Sequence, residues 1–171
     1  MNRDRDFEIR LADPRGDRDA LGVLLAEMLE HYNPDRAKTP EEAGARAAVI
    51  LGRWPSCEIL IARCEGRPLG LATFSLLFPA EGVEPQIMMK DLFVTRRARS
   101  QGIGEALLKA LARLAVDRGC GRLDWTTDEG NDGAQAFYER LGAKRIQQKV
   151  YYRLDAGALR AYADDGEGGG G

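Results

Sequence analysis

The stretch that most constrains this chain runs from Gln86 to Gly119, where the hydrophobic pattern changes its period once and abruptly. "QIMMKDLFV", Gln86 to Val94, is an apolar-rich run with the length of a strand. Leu107, Leu108, Leu111, Leu114 and Ala115 then recur at helical spacing, and Gly119 stops the helix. Between them lies the basic turn "RRARSQGIG", Arg96 to Gly104. The order is strand, glycine turn, helix, in a chain whose 171 residues are 44% hydrophobic, enough to bury one substantial core. One domain is expected over residues 1–163. The remaining residues 164–171, "DDGEGGGG", bury almost nothing and are expected to form a disordered tail.

At a helix start, backbone N–H groups lack intrahelical acceptors and carry about half a positive charge, so an anion placed there gains hydrogen bonds and dipole attraction. Gly102 and Gly104 remove side chains that would block its approach, and Arg96, Arg97 and Arg99 add positive charge. A pyrophosphate suits such a turn. A plain strand-to-helix connection with solvated arginines is the competing reading. Two common phosphate motifs are excluded by spacing. No Gly-Lys pair exists for a P-loop, and Leu107 stands where the dinucleotide fingerprint needs a small residue.

The rest of the chain supplies several more elements. "FEIRLA", Phe7 to Ala12, alternates as a strand does, and "DPRGDRD" follows with turn formers and a helix cap. Leu21, Leu24, Leu25, Met28 and Leu29 place a helix over Asp19 to Tyr32, closed by Asn33-Pro34. "TPEE" at Thr39 to Glu42 has a capping threonine, a proline at the first helical position and a glutamate three after the cap, which predicts a second helix to about Arg53. "CEILIARCE" and "LGLATFSLLF" form a hairpin around a turn holding Gly66 and Pro68. "RLDWTT" is a strand, "NDGAQAFYERLG" a short helix ended by Gly142, and "KRIQQKVYYRLD" a long last strand before a helix over Ala156 to Ala163.

The turn reads Arg99-x-x-Gly102-x-Gly104 after a strand, and Asn131 to Gly142 reads N-x-x-A-x-x-F-Y-x-x-x-G. In that order the two motifs resemble those of the GNAT superfamily of N-acetyltransferases, closely over Ile87 to Gly142 and in outline from Phe7 onward. "KDLFV" and "VYYRLDAGALRAYA" look most like the diamine and small-amine branch. The resemblance implies an α/β (α+β) fold: a mixed, mostly antiparallel sheet of six to seven strands, splayed in a V between strands four and five and flanked by helices. It implies acetyl-CoA as cofactor. Backbone groups of Leu92, Phe93 and Val94 would pair with its pantetheine. Its pyrophosphate would lie against Arg99, Ser100, Gln101, Gly102, Ile103, Gly104 and Glu105, with Asn131, Ala134, Phe137 and Tyr138 completing the cofactor site.

The same resemblance places Tyr138 where a phenol protonates the leaving thiolate. Asn131 would cap its helix as well as contact the cofactor, and Phe137 also reads as core packing. Asp91 matches an acidic position of the diamine branch and is the candidate base and acceptor contact. Lys90 stands where that branch carries a second acid, a departure that weakens a polyamine assignment. On a strand Lys90 and Asp91 point to opposite faces, so at most one of them faces the cleft. Glu27, His31 and Tyr32, with Glu30, end the first helix, where the family places part of the acceptor pocket; an ordinary charged helix end explains them equally.

Composition removes some classes. A net charge of −2 gives no general attraction for nucleic acid or an anionic membrane. One histidine and three cysteines, with no Cys pair at ligand spacing, imply no metal. Cys57 and Cys64, seven apart on one strand, would face opposite ways and could not pair, which fits a reducing cytoplasm. The expected partner is a small-molecule amine, and apolar residues on the last strand such as Val150 and Tyr152 would support a homodimer, with packing inside the sheet as the equal alternative. Three functions fit: acetylation of a primary amine on a polyamine, amino acid or aminoglycoside-like molecule; acetylation of a protein lysine or N-terminus; and acyl-CoA sensing without turnover.

Overall fold

The computed structural model describes residues 7–80 and 82–164, in two compact units divided between Thr126 and Thr127. The first unit holds β1 (Glu8–Leu11), α1 (Arg18–Tyr32), α2 (Pro40–Arg53), β2 (Cys57–Cys64), β3 (Arg67–Leu77), β4 (Gln86–Val94), α3 (Ile103–Asp117) and β5 (Arg122–Trp125). The second holds α4 (Asp132–Arg140) and α5 (Ala156–Asp164). Beyond Asp164, the expected tail lies outside the described residues.

The strands form one sheet in the order β1-β2-β3-β4-β5. The first three pairings are antiparallel; β4 and β5 are parallel, joined through α3 as a parallel pair requires. The sheet is therefore mixed and mostly antiparallel, as expected. Its five strands among the described residues correct the expected six to seven. The difference is "KRIQQKVYYRLD", which forms no strand. Alternating residues supply the propensity, but a strand exists only where a neighbour accepts its backbone hydrogen bonds, and no strand lies within the second unit among the described residues.

Alternate residues of β3 face opposite layers. On one face Ile59, Ile61, Leu71 and Phe93 pack with Leu21, Leu24 and Met28 of α1 and Ala47 of α2. On the other, Gly70 lies beneath Leu107 of α3, and Arg118 after that helix stacks over Phe74. Helices α1 and α2 cross at Gly22 and Gly44: a Cβ on Gly22 would meet Pro40 O at 2.2 Å, and one on Gly44 would meet Arg18 O at 2.5 Å. Only glycine permits so close a crossing.

The hairpin turn is Glu65-Gly66, with φ of 48° and 77°, and Cys64 pairs with Arg67 across it. Pro68 is not in the turn. It lies inside β3 opposite Arg63, next to a register shift, the kind of position at which a strand tolerates a residue without an N–H. The capping box of α2 forms as read: Glu42 N–H donates to Thr39 Oγ1 at 3.2 Å, and Thr39 N–H donates to Glu42 Oε2 at 3.0 Å. The expected cap of α1 takes another form. Asp17 stands at the N-cap without a capping bond, and its buried carboxylate serves two arginines and the Asp13 amide instead.

Candidate active site

Strand β4 is irregular on both edges at one place. Toward β5, pairing runs from Gln86 opposite Arg122 to Met89 opposite Trp125 and stops, so β5 leaves Lys90 to Val94 without a partner on that side. Toward β3, Thr73 pairs with Asp91 but Phe74 pairs with Met89, so Lys90 is an extra residue in a bulge. The bulge resets which side chains face where. Met89 keeps to the α3 face with Phe74, whereas Asp91 joins Thr73 and Phe93 on the face covered by α1 and α2. Lys90, the extra residue, and Asp91 both border one cavity. A regular period of two fails here because one residue of β4 has no counterpart on β3.

That cavity, about 720 Å³, opens between α1, α2 and the sheet. Met28, Ala47, Ile50 and Ile59 form its apolar wall, and Thr73 and Asp91 bring polar groups from the sheet. Thr73 Oγ1 donates to Asp91 Oδ2 at 2.8 Å and accepts from the Asp91 N–H at 3.1 Å, which fixes the carboxylate on the strand. Thr73 is a site residue that the sequence reading missed. Only its register opposite Asp91 marks it, and the bulge conceals that register.

Past Val94 the chain enters the basic turn. Arg96 N–H donates to Glu27 Oε1 at 2.8 Å, Ala98 N–H to Thr95 O at 2.9 Å, and Ala106 N–H to Gly102 O at 3.0 Å. Between these, no backbone N–H from Arg99 to Glu105 donates to an acceptor among the described residues. Ser100 and Gly102 adopt left-handed φ of 59° and 81°, a conformation that curls successive N–H groups toward a common point. Gly102, the N-cap of α3, takes it without steric cost. Ile103 is buried in the core and anchors the helix, while Gly104 is half-buried and Glu105 exposed. Side chains partly close the turn on itself: Arg99 Nε donates to Val94 O at 3.4 Å and Gln101 Nε2 to Arg97 O at 3.2 Å.

At the end of α1, Glu27 is occupied with the Arg96 amide. The His31 ring lies tilted against Tyr32 at 4.8 Å between centroids and 6.5 Å from the Phe93 ring. Among the described residues none of Glu27, His31 and Tyr32 lines the large cavity; of the expected acceptor contacts only Asp91 does. In the second unit, Asn131 caps α4 by accepting from Ala134 N–H at 3.1 Å. Phe137 and Tyr138, both half-buried, meet edge to face at 5.2 Å. Among the described residues no cluster of His, Cys, Asp and Glu could hold a metal ion, and no helix is long and apolar enough to cross a membrane.

A half-released strand running into a turn of unpartnered amides defines an α/β protein with a glycine-rich strand–turn–helix at an opening in its sheet. The chain belongs to the acetyltransferase (GNAT) family, whose model matches residues 25–143. It is 30% identical over 151 residues to thialysine N-epsilon-acetyltransferase of Sus scrofa, covering 82% of this chain and 88% of that enzyme. It is 33% identical over 92 residues to L-ornithine N5-acetyltransferase of Arabidopsis thaliana, a match spanning 54% of this chain but only 40% of that protein. Among solved structures, an integron cassette protein from the mobile metagenome of V. cholerae superposes with a TM-score of 0.86 at 33% identity, covering 93% of this chain and 98% of that one.

Proposed function

We propose that the chain is an acetyl-CoA-dependent N-acetyltransferase that acetylates a primary amine of a small molecule by direct attack on the thioester. The observation that carries this reading is the junction of the vacated β4 edge with the free amides from Arg99 to Glu105. An extended ligand with an amide-bearing arm and a diphosphate fits both: the arm along Leu92, Phe93 and Val94, the diphosphate against the turn. When bound, coenzyme A supplies the acyl thioester. The named substrates of the ornithine and thialysine enzymes support a small amine as acceptor.

The chain's own residues do the remainder. The amides of Ser100 to Glu105, with Arg99, hold the anion. Asp91, oriented by Thr73, binds the incoming ammonium and receives its proton at Oδ1, directly or through water. Tyr138 gives its phenolic proton to the departing sulfur. Asn131 caps α4 by accepting the Ala134 N–H and, with Ala134 and Phe137, contacts the coenzyme; Tyr138 projects from the last turn of that helix. Glu27 fixes the start of the basic turn through the Arg96 amide, and His31 and Tyr32 border the acceptor's entry. A cytoplasmic homodimer belongs to the same proposal. Its support is three free cysteines and the exposure of Val150 and Tyr152, at 73% and 87%.

Purified protein given acetyl-CoA and a panel of diamines, amino acids, aminoglycosides and peptides should release free thiol with a small amine. Calorimetry should show coenzyme A binding without an acceptor. Absence of both overturns the reading. Binding without turnover on any acceptor makes the protein an acyl-CoA sensor, and turnover on peptides alone makes it a protein acetyltransferase.

A further inference from the structure

The charges around the cavity beside Asp91 are unequally committed. It carries three carboxylates, Glu42, Glu58 and Asp91, and three cations, Lys38, Arg46 and Lys90. Each carboxylate already has a partner. Glu42 accepts the Thr39 N–H at 3.0 Å in the capping box, Glu58 Oε2 accepts Arg118 Nη2 at 2.7 Å and its Oε1 accepts Nη1, and Asp91 Oδ2 accepts the Thr73 hydroxyl at 2.8 Å. None of the three cations makes an ion pair or hydrogen bond among the described residues. A ligand entering here meets two carboxylates with an oxygen to spare, Asp91 on the sheet and Glu42 on α2, and three cations without a counter-ion, Glu58 being paired with Arg118.

From this we infer that the cavity selects an amine bearing a carboxylate, an amino acid rather than a polyamine, and that Lys90 is the specificity-determining residue that anchors the carboxylate. The inference rests on the acetyltransferase reading of the same site and deepens it. A polyamine has only cations and leaves Lys38, Arg46 and Lys90 without a counter-ion. A diamino acid satisfies both signs, its reacting amine at Asp91 and its carboxylate toward Lys90, with Arg46 and Lys38 across the cavity on α2 and the segment before it. The bulge is what makes this possible. Without the extra residue in β4, Lys90 and Asp91 would stand on opposite faces, and the strand would offer the cavity one charge rather than a pair of opposite sign.

The test compares ornithine with 1,4-diaminobutane, which lacks only the carboxylate, on the full chain with acetyl-CoA. Wild type should favour ornithine by about tenfold or more in kcat/KM. Lys90→Glu should raise KM for ornithine about tenfold or more, with a smaller change in kcat, and lower it for the diamine; Lys90→Gln should lie between them. Lys90 is exposed, so thermal melting should show every variant folded. Calorimetric titration with ornithine should weaken in parallel, independent of turnover. Equal use of both amines, or a preference unmoved by Lys90→Glu, overturns the inference while leaving acetyl transfer intact. Loss of coenzyme A binding and of turnover on every amine would instead defeat the reading beneath it.

Discussion

Asp17 is the side chain on which the first unit's edge most depends. Its carboxylate is 1% exposed and accepts from Arg10 Nη1 at 2.6 Å, Arg10 Nη2 at 2.8 Å, Arg63 Nη1 at 2.8 Å and the Asp13 amide at 2.8 Å, tying β1, β2 and the start of α1 together. Removing one partner of such a buried cluster leaves charge uncompensated, so Asp17→Asn should cost about 3 kcal/mol in urea unfolding at pH 7. The hydrogen bonds from Arg10, stronger than the opposing desolvation, hold Asp17 below its ordinary pKa of 3.8. A folded-state pKa below the unfolded one stabilises fully above the unfolded value and is lost as pH falls through the folded value. The gap between wild type and Asp17→Asn should therefore narrow below pH 4; a gap that stays constant to pH 2 would contradict it. Asp91 tests the chemistry in the same way. Asp91→Asn keeps the Thr73 hydrogen bond within reach but cannot take a proton, so kcat should fall about 100-fold with folding intact.

At the level of elements, the capping box and the turn into α3 do different jobs. Thr39→Ala removes one reciprocal bond at an exposed helix start and should cost about 1 kcal/mol, read as a lower melting temperature with coenzyme affinity unchanged. Gly102→Ala puts a Cβ on a residue at φ 81°. The strain, about 1–2 kcal/mol, can relax only by turning the amides proposed to hold the coenzyme's diphosphate, so coenzyme A affinity should fall about tenfold or more. The contrast explains what was legible in the sequence. Thr39-Pro40-Glu42 and the Leu107, Leu108, Leu111 spacing act within a few residues, so the text of the chain contains the whole cause. The fate of Lys90 and of "KRIQQKVYYRLD" depends on a partner strand. For Lys90, the register of Thr73 and Phe74 leaves it an extra residue beside the cavity; for the last segment, no strand lies within its unit among the described residues. Pairing is a relation between distant stretches, and a period of two in one stretch cannot state it.

Across the whole molecule, the proposed chemistry is divided between the two units. Strand β4, the amide turn and the cavity lie within residues up to Thr126, whereas Asn131 and Tyr138 lie beyond it. If the first unit supplies binding and Tyr138 supplies the proton, affinity and turnover should separate under mutation. Tyr138→Phe keeps the ring that meets Phe137 and removes only the hydroxyl, so coenzyme A should bind within about twofold of wild type while kcat falls about 100- to 1,000-fold. Gly102→Ala should do the reverse, raising the coenzyme's Kd and KM and sparing kcat at saturation. The pH profile adds an independent reading. A phenol acting as acid must be protonated, so wild-type kcat should fall as pH rises toward the ordinary tyrosine pKa of about 10, and Tyr138→Phe should lose that limb. A Tyr138→Phe variant that keeps the limb and most of its turnover would assign the proton to water or to another residue, and Tyr138 would then be packing alone.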